Sequence, residues 1–260
     1  MEVQVDGETV FAATGGQPFD SAKPAILFVH GAGMDRSVWG LMARWFAHNG
    51  RSVAALDLPG HGRSGGAPLA SVEAIGDWLI RAAKALGVDR PGLCGHSMGA
   101  AAALEAAATL GDRCRGLALL GAAPAIPVHP KMLASAQTDG RDAIAMMCLF
   151  AHSQSGKLGA SPTPGVATVG GAHRVLTRGA AMLRADLPAC DAWSGESAAA
   201  RIACPSVVVV GARDRMTPPK AGRALAAAIP NTQLIELPKI GHMMIAEAPD
   251  GARRAVQLAL

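Results

Sequence analysis

The 260-residue chain has no tyrosine at all, and its four tryptophans and five phenylalanines bring the aromatic share to only 3%. With so few rings to stack on bases and no basic run, it lacks the platforms and clustered cations that nucleic-acid binding uses. No nucleic-acid partner is expected. The missing tyrosine also removes one common polar group from any binding pocket. Charged residues are few, 17%, and the net charge of +4 is spread along the chain; it allows a mild preference for anionic or neutral substrates without establishing one.

Long apolar runs are missing too. The longest uncharged apolar stretch, Leu117 to Val128, is broken by a glycine and two prolines and is shorter than the roughly 20 residues a membrane span needs. The start, Met1-Glu2-Val3-Gln4-Val5-Asp6, has no basic-then-apolar pattern of a secretory signal. A cytoplasmic protein without a membrane partner is expected. The five cysteines (Cys94, Cys114, Cys148, Cys190 and Cys204) are odd in number, scattered and free of C-x-x-C spacing, so they imply neither a disulfide framework nor a metal site.

What is present is a chain that is 50% hydrophobic, with Val/Leu/Ile runs alternating with Ala-rich stretches. That alternation predicts an α/β domain with a mostly parallel sheet flanked by helices. Asp6-Gly7 between Val3–Val5 and Glu8–Ala12 predicts a tight hairpin. Strands are expected at Ala25–Val29, Ser52–Leu56, Pro91–Cys94, Arg115–Leu120, Pro205–Val210 and Thr232–Leu237. Helices are expected at Val38–His48, from Ser71 to Leu86, at Met98–Leu110 and Lys220–Ala228, and from Glu247 onward.

Between a strand and a helix stands Gly95-His96-Ser97-Met98-Gly99. This is G-x-S-x-G, the pattern of a nucleophile elbow, in which the two glycines permit a strained turn that lifts the serine hydroxyl above the sheet. Ser97 is the candidate nucleophile. The helix that follows aims its N-terminal N–H groups at the same spot, and the Met98 N–H is the candidate for half of an oxyanion hole.

The elbow is accompanied by His30-Gly31-Ala32-Gly33, by Asp57-Leu58-Pro59-Gly60-His61-Gly62-Arg63-Ser64, by Gly211-Ala212-Arg213-Asp214 and by Gly241-His242. In this order the five motifs resemble the α/β-hydrolase superfamily, in its serine esterase and C-C hydrolase branch, over essentially the whole length. The resemblance implies Asp214 as the acid and His242 as the base of a Ser-His-Asp triad, and Ala32 as the second oxyanion donor with Gly33 next. A plain turn at the two glycines and a turn aspartate at 214 are the structural alternatives. The strand ending at Leu120 is followed by no acid, so the later strand must supply it. The Asp57–Ser64 loop is assigned to structure, with Asp57 and Ser64 satisfying backbone N–H groups.

The family inserts a cap between the strands near Leu117 and Val207. Here that is residues 125–200, with 1–124 and 201–260 as the core. Periodicity degrades in this stretch: Pro127, Pro130, Pro162, Pro164, Pro188, Gly170-Gly171 and a loop-like His152–Val169 interrupt helix candidates at Lys131–Gln137, Arg141–Ala151 and His173–Leu187. Met146, Met147 and Phe150 are candidates for an apolar substrate pocket, since methionine adapts to varied shapes, with Gly33 and Met243 as further contacts; ordinary core is the alternative for the cap residues. His152 and His173 are polar cap residues that could touch substrate, with solvated surface the weightier reading, and Cys94 is assigned to the core.

The expected activity is acyl-enzyme hydrolysis of a carboxylic ester, or a related acyl bond, of a small substrate, with no cofactor. Thioester, lactone and C-C hydrolysis use the same machinery and stay open; many C-C hydrolases of the family carry tryptophan after the histidine, where this chain has Met243. The family's dehalogenases and epoxide hydrolases carry aspartate at the elbow and are disfavoured by Ser97. From another class, a hydrolase-shaped binding protein stays as the alternative. Either a monomer or a homodimer is compatible with the chain.

Overall fold

The computed structural model describes residues 1–161 and 168–260. Pro162 and Pro164 of the expected loop lie outside the described residues. An opening hairpin, β1 (Glu2–Val5) and β2 (Glu8–Ala13), turns on Asp6 and Gly7, both at positive φ (54° and 84°), as a tight hairpin of this kind requires. The chain then alternates: β3 (Ala25–Val29), α1 (Gly40–His48), β4 (Ser52–Leu56), α2 (Val72–Ala85), β5 (Gly92–His96), α3 (Met98–Leu110) and β6 (Gly116–Leu120). Six short helices come next, α4 (Pro130–Ala136), α5 (Arg141–Ala151), α6 (Gln154–Lys157), α7 (Thr168–Arg178), α8 (Leu183–Ala192) and α9 (Glu196–Ala199). The chain closes with β7 (Ser206–Gly211), α10 (Pro219–Ala228), β8 (Thr232–Leu237), α11 (Met244–Glu247) and α12 (Pro249–Val256).

The eight strands form one sheet in the order β1-β2-β4-β3-β5-β6-β7-β8. Only the β1/β2 and β2/β4 pairs are antiparallel; the five remaining pairs are parallel. Every residue of β3, β4, β5, β6 and β7 is buried, as expected of parallel strands with helices on both faces. The edge strand β8 is mostly open. Ser71 caps α2 by accepting from the Ala74 N–H at 3.1 Å.

Four expectations for residues 125–200 are corrected. The single helix expected over His173–Leu187 is broken into α7, a 3-10 turn at Ala180–Met182 and α8. Gly179 is the break: it lies so close to the Gly33 carbonyl oxygen that a Cβ would overlap it. Pro188, expected to interrupt, instead sits inside α8. The Arg184 carbonyl that it deprives of an intrahelical N–H accepts from Gln137 Nε2 at 3.3 Å. Gly170 and Gly171 likewise lie within α7, and the stretch expected as loop from His152 carries α6.

Candidate active site

Parallel strands deliver their following loops to one edge of the sheet, and open α/β proteins bind ligands there. The loops after β3, β5, β7 and β8 carry His30–Gly33, Ser97, Asp214 and His242.

Ser97 joins β5 to α3 at φ 55°, ψ −122°, a region that costs a non-glycine residue strain and persists only where the surroundings enforce it. They do so through two close approaches. A Cβ on Gly95 would lie 2.5 Å from the Ala100 nitrogen, and one on Gly99 2.7 Å from the Val29 carbonyl carbon. The Ser97 N–H donates to the Leu120 carbonyl at 2.9 Å, and its own carbonyl accepts from Ala100 and Ala101. Neither the Met98 nor the Ala32 N–H makes a hydrogen bond among the described residues. Gly31 brings the Ala32 loop against the serine: a Cβ there would meet Ser97 Cβ at 3.2 Å.

Asp214 and His242 form a buried pair, each 3% exposed. His242 Nδ1 donates to Asp214 Oδ2 at 2.7 Å. Thr217 adds its hydroxyl to the same oxygen at 2.8 Å, while the Met216 and Thr217 N–H groups donate to Oδ1 at 2.8 and 2.9 Å. Burial pushes the Asp214 carboxyl upward, but the facing His242 and the Thr217 bonds outweigh it and hold the group below its ordinary value. A carboxylate held this way fixes one imidazole tautomer, with the proton on Nδ1 and Nε2 left free as a base. Below the ring, His96 Nε2 donates to the His242 carbonyl at 2.9 Å. Burial, then repulsion from His242, lowers the His96 pKa to about 3, so this second imidazole stays neutral.

Ser97 and His242 line one narrow cavity of about 20 Å³. Next to it, and sharing Ala32, Ser97, Met147 and Met216, is an apolar cavity of about 260 Å³. Ile126, Met132, Phe150 and Leu187 line the larger space, and the Arg215 guanidinium lies 4.6 Å over the Phe150 ring at its wall. Of the sequence candidates for substrate contact, Met147 lines both cavities, Phe150 the larger and Met243 the smaller.

Two candidates are placed elsewhere. Met146 faces a separate groove with Lys131 and Asp142, because it lies on the side of α5 turned away from Met147. Gly33 is covered: its N–H donates to Asp186 Oδ2 at 2.8 Å, and Leu183 packs on its Cα. That N–H is therefore spent on Asp186. The same Asp186 oxygen receives His61 Nε2 at 2.9 Å, and His61 Nδ1 donates to the Pro59 carbonyl at 2.9 Å. Burial works against charge on His61, but its bond to Asp186 prevails and raises its pKa. Asp57 and Ser64 do serve the backbone, accepting from the Arg36, Arg63 and Phe11 N–H groups.

Thr217, His96 and Asp186 are residues around the site that motif reading passed over. Thr217 had a signal, being the third residue after Asp214, a spacing at which hydroxyl and carboxylate meet in a turn. For His152, solvated surface was the weightier reading, ahead of substrate contact; the structure buries it to 1% exposure, lining one cavity with Ser97, because α5 ends there against the loop that carries His242. His173 is exposed.

A model of the Alpha/beta hydrolase family matches residues 26–255. The chain belongs to that family. It is 29% identical over 234 residues to a pimeloyl-[acyl-carrier protein] methyl ester esterase of Chromobacterium violaceum, covering 84% of this chain and 87% of the relative. It is 25% identical over 234 residues to a putative carbamate hydrolase, RutD, of Klebsiella pneumoniae, covering 84% of each. Among solved structures, the enol-lactonase of Burkholderia xenovorans LB400 superposes with a TM-score of 0.86 at 23% identity, over 99% of this chain and 98% of that one, a likeness of fold.

Proposed function

We propose that this protein is a serine hydrolase that cleaves a carboxylic ester, or a closely related acyl bond, of a small substrate through an acyl-enzyme. The observation that carries the reading is the buried Asp214–His242 pair, tautomer-fixed by a 2.7 Å bond, whose histidine lines the same cavity as a serine held at a strained elbow. His242 Nε2 takes the Ser97 hydroxyl proton as Oγ attacks the acyl carbon. The oxyanion that forms is stabilised by the Met98 and Ala32 N–H groups. His242 then gives its proton to the departing alcohol, and a water, deprotonated by His242 in turn, releases the acid and restores Ser97.

Residues 125–200 act as a cap over this site, with 1–124 and 201–260 as the core. Met147, Phe150 and Leu187 supply the apolar wall for the acyl or alcohol chain. The relatives' names, a methyl ester esterase and a carbamate hydrolase, describe attack on the same kind of acyl carbon and support the reading. We place the enzyme in the cytoplasm, in keeping with its five unpaired thiols; among the described residues no helix is long and apolar enough to cross a membrane.

The test is turnover of p-nitrophenyl acetate, butyrate and octanoate by the wild type and by Ser97→Ala, with fluorophosphonate labelling of both. Activity and label that vanish together in the variant are expected. Ester turnover that survives in Ser97→Ala would sink the assignment, and an unlabelled wild type without turnover would favour a binding protein.

A further inference from the structure

The cavity beside Ser97 is lined by a histidine that the proposed mechanism does not use. His152 closes α5, and its Nδ1 donates to the Cys148 carbonyl at 2.9 Å, one turn back. That bond puts the ring proton on Nδ1 and leaves Nε2 as a bare lone pair. Nε2 is fully enclosed and has no partner. Leaving a buried acceptor unpaired costs about 1–3 kcal/mol, so such an atom in a folded protein calls for a reason.

The other orphaned nitrogen in this cavity is His96 Nδ1, and its surroundings differ. It lies against the Gly31 backbone, where a Cβ would meet it at 3.3 Å, and the ring's other nitrogen is spent on the His242 carbonyl. The remaining walls near His152 are apolar, among them Met147, Ala172, Leu176 and Met243. One acceptor in an apolar slot of about 20 Å³ suits a group of one or two heavy atoms that can donate a hydrogen bond. A longer chain has room only in the neighbouring 260 Å³ cavity.

We propose that His152 Nε2 accepts a hydrogen bond from a donor on the acyl side of the substrate, one or two bonds from the scissile carbonyl. Its substrates are then 2-hydroxyacyl esters or carbamoyl esters rather than plain alkanoates. This rests on the ester-hydrolase reading above and adds the substrate class. A site built around a buried acceptor rejects the analogue that lacks the donor, because binding that analogue buries the nitrogen without a partner.

The test compares phenyl lactate with phenyl butanoate and phenyl 2-methoxypropanoate, each kcat/KM divided by the ester's hydroxide-catalysed rate to remove intrinsic reactivity. Wild type is expected to favour lactate by tenfold to a hundredfold. His152→Met should erase that preference by slowing lactate alone, and His152→Gln, which keeps an acceptor, should restore part of it. No preference in the wild type, or an equal loss on all three esters in His152→Met, overturns the proposal. A readout independent of turnover is the 15N shift of His152 Nε2 in the Ser97→Ala protein, which methyl lactate should move and methyl propanoate, with no donor, should not; no response to methyl lactate also overturns it. Failure of the ester-hydrolase reading would appear separately, as hydrolysis by Ser97→Ala or a wild type that fluorophosphonate does not label.

Discussion

Alanine in place of Gly99 is expected to damage both stability and turnover, and the size of each effect follows from one close approach. Gly99 is the second residue of α3, laid directly on the end of β3. A Cβ there would stand 2.7 Å from the Val29 carbonyl carbon and overlap the Val29 and His30 carbonyl oxygens. Ordinary contact begins at 3.4 Å, so α3 must retreat by more than 0.7 Å, the difference between those two distances, because the two oxygens stand closer still. The atoms in the way are backbone, so no rotamer change relieves them. Overpacking of this kind costs about 1–3 kcal/mol, and alanine's better helix propensity returns about 1 kcal/mol at most. The clash wins, and a net loss of about 1–2 kcal/mol lowers Tm by about 2–8 °C in a domain of this size. Turnover should fall further, about a hundredfold, because the retreat carries Ser97 and the Met98 N–H out of position. Gly170→Ala is the control with the opposite sign: this exposed residue of α7 has nothing within 4 Å of its open position, and alanine should stabilise by about 0.5–1 kcal/mol. Thermal melts and p-nitrophenyl butyrate turnover on the two variants decide the matter. A Gly99→Ala protein with unchanged Tm and rate would refute the close approach of α3 to β3.

Asp214→Asn leaves the His242 ring without the acceptor that fixes its tautomer, and kcat should drop about 10⁴-fold with KM within a few-fold; steady-state kinetics checks the split. Thr217→Val removes one of the donors that hold the Asp214 carboxyl down, so that carboxyl should titrate at a higher pH than in the wild type, which its 13C shift followed through a pH series would check. The five thiols are buried, and burial pushes Cys94 and Cys190 well upward; the native protein at pH 8 should react with Ellman's reagent at those positions only after unfolding, and rapid labelling of Cys94 would contradict its packing. Burial lowers His30 to about 4 and His96 to about 3, so between the ordinary histidine value of 6.5 and those values the unfolded chain binds two protons that the folded chain does not. His61, raised by Asp186, holds an extra proton when folded only above 6.5, so it does not offset this at lower pH. Tm should therefore fall steadily from pH 7 to pH 4.5, and a flat or rising Tm would mean that these rings are not held neutral.

The sheet and the elbow were legible in the sequence because their signals are local. Five fully apolar residues at Ala25–Val29 dictate a strand covered on both faces, and Gly95 and Gly99 are needed by contacts that lie within a few residues of the elbow or on the adjacent strand. The inserted segment was legible only in part, since its helix limits are set by partners distant in sequence. Gly179 ends α7 because it meets Gly33, and Pro188 is tolerated inside α8 because Gln137 supplies the missing donor; no window of residues around 179 or 188 contains either fact.

The same distinction explains which site residues escaped. Ser97, Asp214 and His242 each follow a strand and carry a motif of their own, so order along the chain sufficed. Asp186 carries none: its meaning comes from Gly33 and His61, 153 and 125 positions away, and a carboxylate on a helix otherwise reads as solvated. His152 was open to substrate contact in the sequence, but solvated surface outweighed that reading for a related reason. A histidine at a helix end has a default role in capping carbonyls, and its Nδ1 does perform it, but the default says nothing about the second nitrogen. That nitrogen became a candidate for substrate recognition only when the fold laid the end of α5 beside Ser97 and closed off every other partner. Motifs of this kind predict where chemistry occurs; the selectivity of the chemistry is written in residues whose function depends on which cavity the fold assigns them.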